Sequence, residues 1–200
     1  MTTPDNALPV TLSVRLREQT RASHERIESV LDLMRPGLTL ERYARLLERW
    51  HGFEQTWERV GPAVLGGRVP GGFFDARRRL PMLRADLLAV GLTADHVDAL
   101  PAVPDNALPW HDAPAALGVL YVIEGSTLGG QHVAKFIRGH LPLTAEHGIS
   151  YFSSYGPDVG KRWRETKALL DAPSFAADEA VVVTSANATF DYLATWLTAR

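Results

Sequence analysis

The chain has 200 residues, of which 46% are hydrophobic and 22% charged, and its formal net charge is -2. This composition is typical of a single globular domain, offers no basic surface for nucleic acid, and contains no apolar run near the ~20 residues that a membrane helix needs. Cysteine is absent, which excludes disulfides, thiolate metal sites and a cysteine nucleophile.

The N-terminal part of the chain predicts a short tail followed by two long helices. Residues 1–9 have neither the basic start nor the apolar core of a signal peptide, so we expect a flexible tail in a cytoplasmic protein. Apolar residues at three- and four-residue steps predict a first helix over residues 12–31. Thr39 then precedes an aromatic-rich face, which predicts a second helix that ends before Gly61-Pro62.

Helical patterns continue through the rest of the chain. Pro81 is expected to mark the start of the third helical stretch or a kink in it, and Pro157 suits the first turn of a later helix. The further helices are predicted over residues 74–90, 93–100, 115–138, 157–170 and 176–197. Alternating strand patterns are missing. We therefore predict an all-α fold in which residues 1–200 form one domain, a bundle of seven or eight helices.

The helix predicted over residues 115–138 contains four glycines, although each interior glycine costs a helix about 0.5–1 kcal/mol relative to alanine. Gly118, Val122, Gly125 and Gly129 fall on one face of this helix, which leaves its backbone almost bare there. Two interpretations stay open. The face either crosses another helix closely or lies against a flat ligand.

A histidine on the first helix raises a similar choice. His24 follows Thr20 on the apolar face, where a buried imidazole needs a polar partner. Arg17 and Arg21 lie about two turns and one turn before it, and Glu28 lies one turn after it. One interpretation is a core histidine beside a solvated, ion-paired surface. The other is a site for a metal in an acidic organic ligand, with the imidazole coordinating, the arginines pairing acid groups and Glu28 polarising the site.

Four segments resemble a known family. TRASHERIE around His24 and YVIEGSTLGGQHVAKFI from Tyr121 are similar to the proximal and distal haem-sandwiching helices of haem oxygenases, in the bacterial subgroup often encoded beside bacteriophytochromes. YFSSYG from Tyr151 and ATFDYLATWL from Ala188 extend the resemblance over nearly the whole chain. The resemblance implies an all-α fold that holds haem b between the two helices.

The resemblance also implies a reaction and its residues. Haem would be cleaved to biliverdin with release of CO and Fe2+, with His24 as the proximal iron ligand and O2 beneath Gly125 and Gly129. Ser126 stands where animal members have a distal aspartate, and its hydroxyl either joins the polar wall or bonds back to its own helix. Electrons would come from a ferredoxin or a reductase, and a bacteriophytochrome would accept the bilin. The other residues expected to contact haem are Arg17, Arg21, Glu28, Tyr121, Gly130, Tyr155 and Phe190.

Three other functions stay open at this point. A non-haem di-iron enzyme would need two Glu-x-x-His motifs on its helices, and Glu48 with His51 supplies one. A non-catalytic haem or tetrapyrrole carrier would use the same pocket without turnover. A helical scaffold without a ligand would use the glycines for packing alone.

Overall fold

The structure is a computed structural model that describes residues 10–172 and 178–199. Within these ranges the chain forms eight α-helices and no strand, so the predicted all-α class is confirmed. The predicted tail, residues 1–9, lies outside the described residues. The helices are α1 Leu12–Gln19, α2 Arg21–Leu31, α3 Leu40–Leu65, α4 Leu80–Ala89, α5 Ala94–Asp98, α6 Ala113–His140, α7 Val159–Leu170 and α8 Glu179–Trp196.

The single first helix of the sequence prediction is wrong, because α1 and α2 are separated at Thr20. Thr20 has φ -103° and ψ 0°, and its hydroxyl donates to the Leu16 carbonyl at 2.7 Å. A threonine hydroxyl that bonds back into its own helix bends the backbone. Apolar periodicity continues across such a break and therefore does not reveal it.

Two further helix boundaries differ from the prediction. α3 continues through Gly61 and Pro62 to Leu65, and the Trp57 indole lies so close over Gly61 that a Cβ there would be 2.9 Å from its Cζ2 atom. This packing covers the last turn of α3, where Pro62 removes one hydrogen bond. The third stretch becomes helical at Leu80, where Pro81 is accommodated in the first turn.

α6 is the central helix, and it packs against α3, α7 and α8. A Cβ at Gly118 would lie 2.7 Å from the backbone nitrogen of Ala186 and 2.8 Å from the Cβ of Ser185. The backbones of α6 and α8 therefore cross too closely for a side chain, and for Gly118 the helix-crossing interpretation is confirmed. α2 also packs on α8, which makes α8 the common support of the two helices that carry the predicted site. In the described ranges, no helix is both long and apolar enough to cross a bilayer.

Candidate functional site

The His24 side chain is 54% exposed, so the core-histidine interpretation is wrong. Its ring meets the buried ring of Phe190 on α8 edge-on, with centroids 5.5 Å apart. The Nε2 atom lies 3.6 Å from Oε1 of Glu28 on the same helix. At this distance the carboxylate lies beside the ring without a hydrogen bond to it, and the exposed ring is accessible to a ligand.

Gly125 and Gly129 present bare backbone, unlike Gly118 on the same face of α6. A Cβ at Gly129 would have no neighbour within 4 Å, and one at Gly125 would have only Trp163, at the ordinary contact distance of 3.8 Å. Neither glycine is required by a helix crossing. A surface of helix backbone without side chains is a cradle that a flat ligand fits.

The break between α1 and α2 meets α6 at Tyr121. This buried side chain of α6 lies beside Thr20, and burial raises the pKa of Tyr121 while the nearby Arg17 charge acts in the opposite direction. The Trp163 ring of α7 lies 5.7 Å from the Tyr121 ring. Thr20, Tyr121 and Trp163 thus lie together where the α1–α2 break touches α6, and we call this cluster the closed end. Trp163 also lies beside Gly125.

His24 and Gly125 each lie one helical turn beyond this closed end. Along α8, residues 182–186 adjoin Gly118, Asn187 binds Ser23, and Phe190 contacts His24. Ser23 and His24 contact Asn187 and Phe190 in turn, so the residue numbers of α2 rise in the same direction as those of α8. We call the surface of α2 and α6 that continues from this closed end and carries His24, Gly125 and Gly129 the α2–α6 cleft.

Arg17 and Arg21 occupy different environments. The charge of Arg17 acts on Tyr121 at the closed end of the cleft. Arg21 instead pairs with Glu25 at 2.8 Å on the surface, with side chains 79% and 60% exposed. Arg17 therefore acts at the closed end, whereas Arg21 is ion-paired in solvent.

Three other predicted site residues have structural contacts within the protein. The Ser126 hydroxyl donates to the Ile123 carbonyl at 2.7 Å, which is the local bond that the sequence left open. A Cβ at Gly130 would lie 3.1 Å from the Phe152 carbonyl oxygen, so this glycine allows a loop to pack against α6. The Tyr155 hydroxyl donates to Glu124 at 3.0 Å and is committed to another side of the helix.

That other side of α6 holds a buried ionic network that the sequence analysis missed. Arg79 pairs with Glu54 at 2.7 Å and Arg77 pairs with Glu124 at 3.1 Å, and all four side chains are at most 4% exposed. Burial raises the pKa of Glu54 to about 7, against the opposing effect of Arg79. The only sequence signal was a carboxylate inside the aromatic face of the second helix. A cavity of about 290 Å³ adjoins this network and is lined in part by Trp57, Phe74 and Arg77–Arg79.

The single Glu-x-x-His motif has a different setting. His51 is buried, and burial together with the Arg84 charge lowers its pKa. Among residues 10–172 and 178–199, no three histidine or carboxylate side chains are grouped so that they could hold a metal ion. The di-iron interpretation therefore has no ligand set in the part of the chain described.

No family model matches the sequence. The chain is 36% identical over 165 residues to a haem oxygenase of Xanthomonas campestris pv. campestris, which covers 80% of this chain and 91% of the relative. The fold of the present chain matches that of the NO- and CO-bound haem oxygenase of Neisseria meningitidis with a TM-score of 0.77 and 25% identity. The match covers 96% of this chain and 91% of that one. Haem oxygenase-1 of the cyanobacterium Synechocystis, solved in complex with haem, shares the fold with a TM-score of 0.75 at 18% identity, over 94% of this chain and 91% of that one.

Proposed function

This chain belongs to the haem oxygenase family, and on that premise we propose that it binds haem b in the α2–α6 cleft and cleaves it to biliverdin, CO and Fe2+. The observations that carry the proposal are an exposed imidazole on α2 and bare backbone on α6, each one helical turn beyond the contact of the α1–α2 break with Tyr121. An imidazole is a common axial ligand of haem iron. A flat macrocycle fits beside a helix surface that has no side chains.

The proximal side of the site is held by residues of α2 and α8. His24 would bind the iron, and the Glu28 carboxylate, 3.6 Å from the imidazole Nε2 atom, would help to orient the ring. The Phe190 ring supports the imidazole edge-on. Arg17, at the closed end of the cleft, pairs with an acid group of the ligand, for which a guanidinium is well suited.

The distal side is formed by the α6 backbone. Bound haem supplies the iron that activates O2 and the macrocycle that is oxidised. Gly125 and Gly129 leave room for O2 and for water beside the helix. Because the Ser126 hydroxyl hydrogen is used by the Ile123 carbonyl, the Ser126 oxygen is left to accept a hydrogen bond from such a water.

Two partners complete the proposal. The reaction consumes electrons that this chain does not provide, and a ferredoxin or a reductase is the proposed donor. The proposed acceptor of the bilin is a bacteriophytochrome, which the resemblance of the TRASHERIE and GSTLGGQ segments to that bacterial subgroup supports.

The test is a haemin titration of the His24→Ala protein, followed by turnover with ascorbate under O2. We expect the substitution to abolish the imidazole-ligated spectrum and nearly all formation of biliverdin. His111→Ala is the matched control, since His111 is also an exposed histidine beside a carboxylate, and it should behave like the parent. An unchanged spectrum in His24→Ala would refute the ligand assignment. A parent protein that binds haemin but forms no biliverdin would be a carrier rather than an enzyme.

A further inference from the structure

Asn187 on α8 binds both sides of the break between α1 and α2. Its Oδ1 accepts a hydrogen bond from the Ser23 hydroxyl at 2.7 Å, in the first turn of α2. Its Nδ2 donates to the carbonyl of Gln19, the last residue of α1, at 3.3 Å. The same nitrogen donates to the Val183 carbonyl of α8 at 3.2 Å, which anchors the amide on its own helix.

The break needs such a connection because α1 and α2 are short. They contain 8 and 11 residues, and isolated helices below about 12–15 residues are marginal in water. Thr20 bends the backbone between them, and His24 lies one turn after the bend. A change in the bend angle would therefore move the imidazole relative to α6.

Two other contacts between α2 and α8 are less directional. Arg26 pairs with Asp191, but the two side chains are 55% and 52% exposed, and ion pairs in water are worth little. Phe190 touches the His24 ring itself, and an aromatic contact tolerates sliding. Asn187 alone among these three α8 residues has hydrogen bonds to both helices, and hydrogen bonds are directional.

We propose that Asn187 is a positioning residue that fixes the angle between α1 and α2 and thereby holds His24 at the α2–α6 cleft. The consequence for haem rests on the function proposed above, whereas the effect on α2 does not depend on it. The role is therefore tested first on the protein without haem.

The first experiment is hydrogen exchange of the parent, Asn187→Leu and Ser23→Ala proteins without haem. Leucine has the same branched arrangement of heavy atoms as asparagine but cannot hydrogen-bond. Ser23→Ala removes one bond without adding bulk, so it also serves if Asn187→Leu does not fold. We expect amides of residues 23–27 to exchange about 3- to 10-fold faster in both variants, the range for one hydrogen bond. Thr195→Val is the matched control, because the Thr195 hydroxyl bonds only to the Asp191 carbonyl of its own helix. Parent exchange rates in Asn187→Leu and Ser23→Ala would overturn the proposal.

The second experiment adds haemin and records binding and the electron paramagnetic resonance spectrum of the iron. Asn187→Leu should bind haemin about 3- to 10-fold more weakly and broaden the spectrum, because the imidazole takes several orientations. Adding Ser23→Ala to Asn187→Leu should cause no further loss, since both remove the same bond. Faster exchange with parent affinity and parent spectrum would refute the positioning of His24. If the variants exchange faster but the parent protein does not bind haemin, Asn187 still fixes the angle between α1 and α2. Only the proposed function is then refuted.

Discussion

Alanine substitutions at Gly118 and Gly129 should change stability in opposite directions, although both glycines lie on one face of α6. At Gly118 the added methyl group would be 2.7 Å from the Ala186 backbone nitrogen, and backbone cannot move aside without separating α6 from α8. Overpacking of this kind costs about 1–3 kcal/mol. This cost exceeds the gain in helix propensity of about 0.5–1 kcal/mol, so the free energy of unfolding should fall.

At Gly129 only the gain remains, since the methyl group would meet nothing within 4 Å. The free energy of unfolding should rise by about 0.5–1 kcal/mol, which raises the melting temperature by roughly 1–4 °C in a chain of this size. Gly125→Ala should behave in the same way, because its nearest neighbour, Trp163, would be at 3.8 Å. Urea and thermal unfolding of the protein without haem measure these changes.

The same Gly129→Ala protein should bind haemin more weakly and form biliverdin more slowly, because the methyl group occupies the surface on which a flat ligand would lie. A gain in stability with a loss in function is the signature of a position kept as glycine for binding. Parent affinity and parent turnover in Gly129→Ala would refute this reasoning. Parent stability in Gly118→Ala would show that the α6–α8 crossing is looser than the structure indicates.

Three further predictions concern Arg17 and Trp163 at the cleft and Glu54 on the other side of α6. Arg17→Ala should weaken haemin binding by about tenfold, the effect of one charged hydrogen bond, whereas Arg21→Ala should change it less than about twofold; titration measures both. In the folded protein, burial raises the pKa of Glu54 from 4.5 to about 7. The favourable contribution of this group to the free energy of unfolding is therefore full below pH 4.5 and is lost as the pH rises through 7. Glu54→Gln should therefore show a shallower fall in unfolding free energy between about pH 5 and 8 in urea titrations. Trp163→Ala uncovers the Tyr121 ring and should lower the free energy of unfolding by about 2 kcal/mol, measured by urea denaturation; unchanged stability would contradict the closed end of the cleft.

The sequence by itself determined the features that depend on neighbouring residues. Helix starts were predicted at Thr39 and Thr93, and the hydroxyls of both accept hydrogen bonds from backbone N–H groups in the first turn. Pro81 lies in the first turn of α4. The bare stripe on α6 followed from helical spacing alone, because 3.6 residues per turn bring residues four apart to the same face.

Only the tertiary structure decided what each bare position meets. Gly118 crosses α8 and Gly129 does not, a difference that depends on where α8 passes rather than on the sequence of α6. The bond from Ser23 to Asn187 joins residues 164 positions apart, so no local pattern records it. The exposure of His24 was likewise decided by packing, because periodicity identifies the face of a helix that is apolar but not whether another helix covers every residue on it.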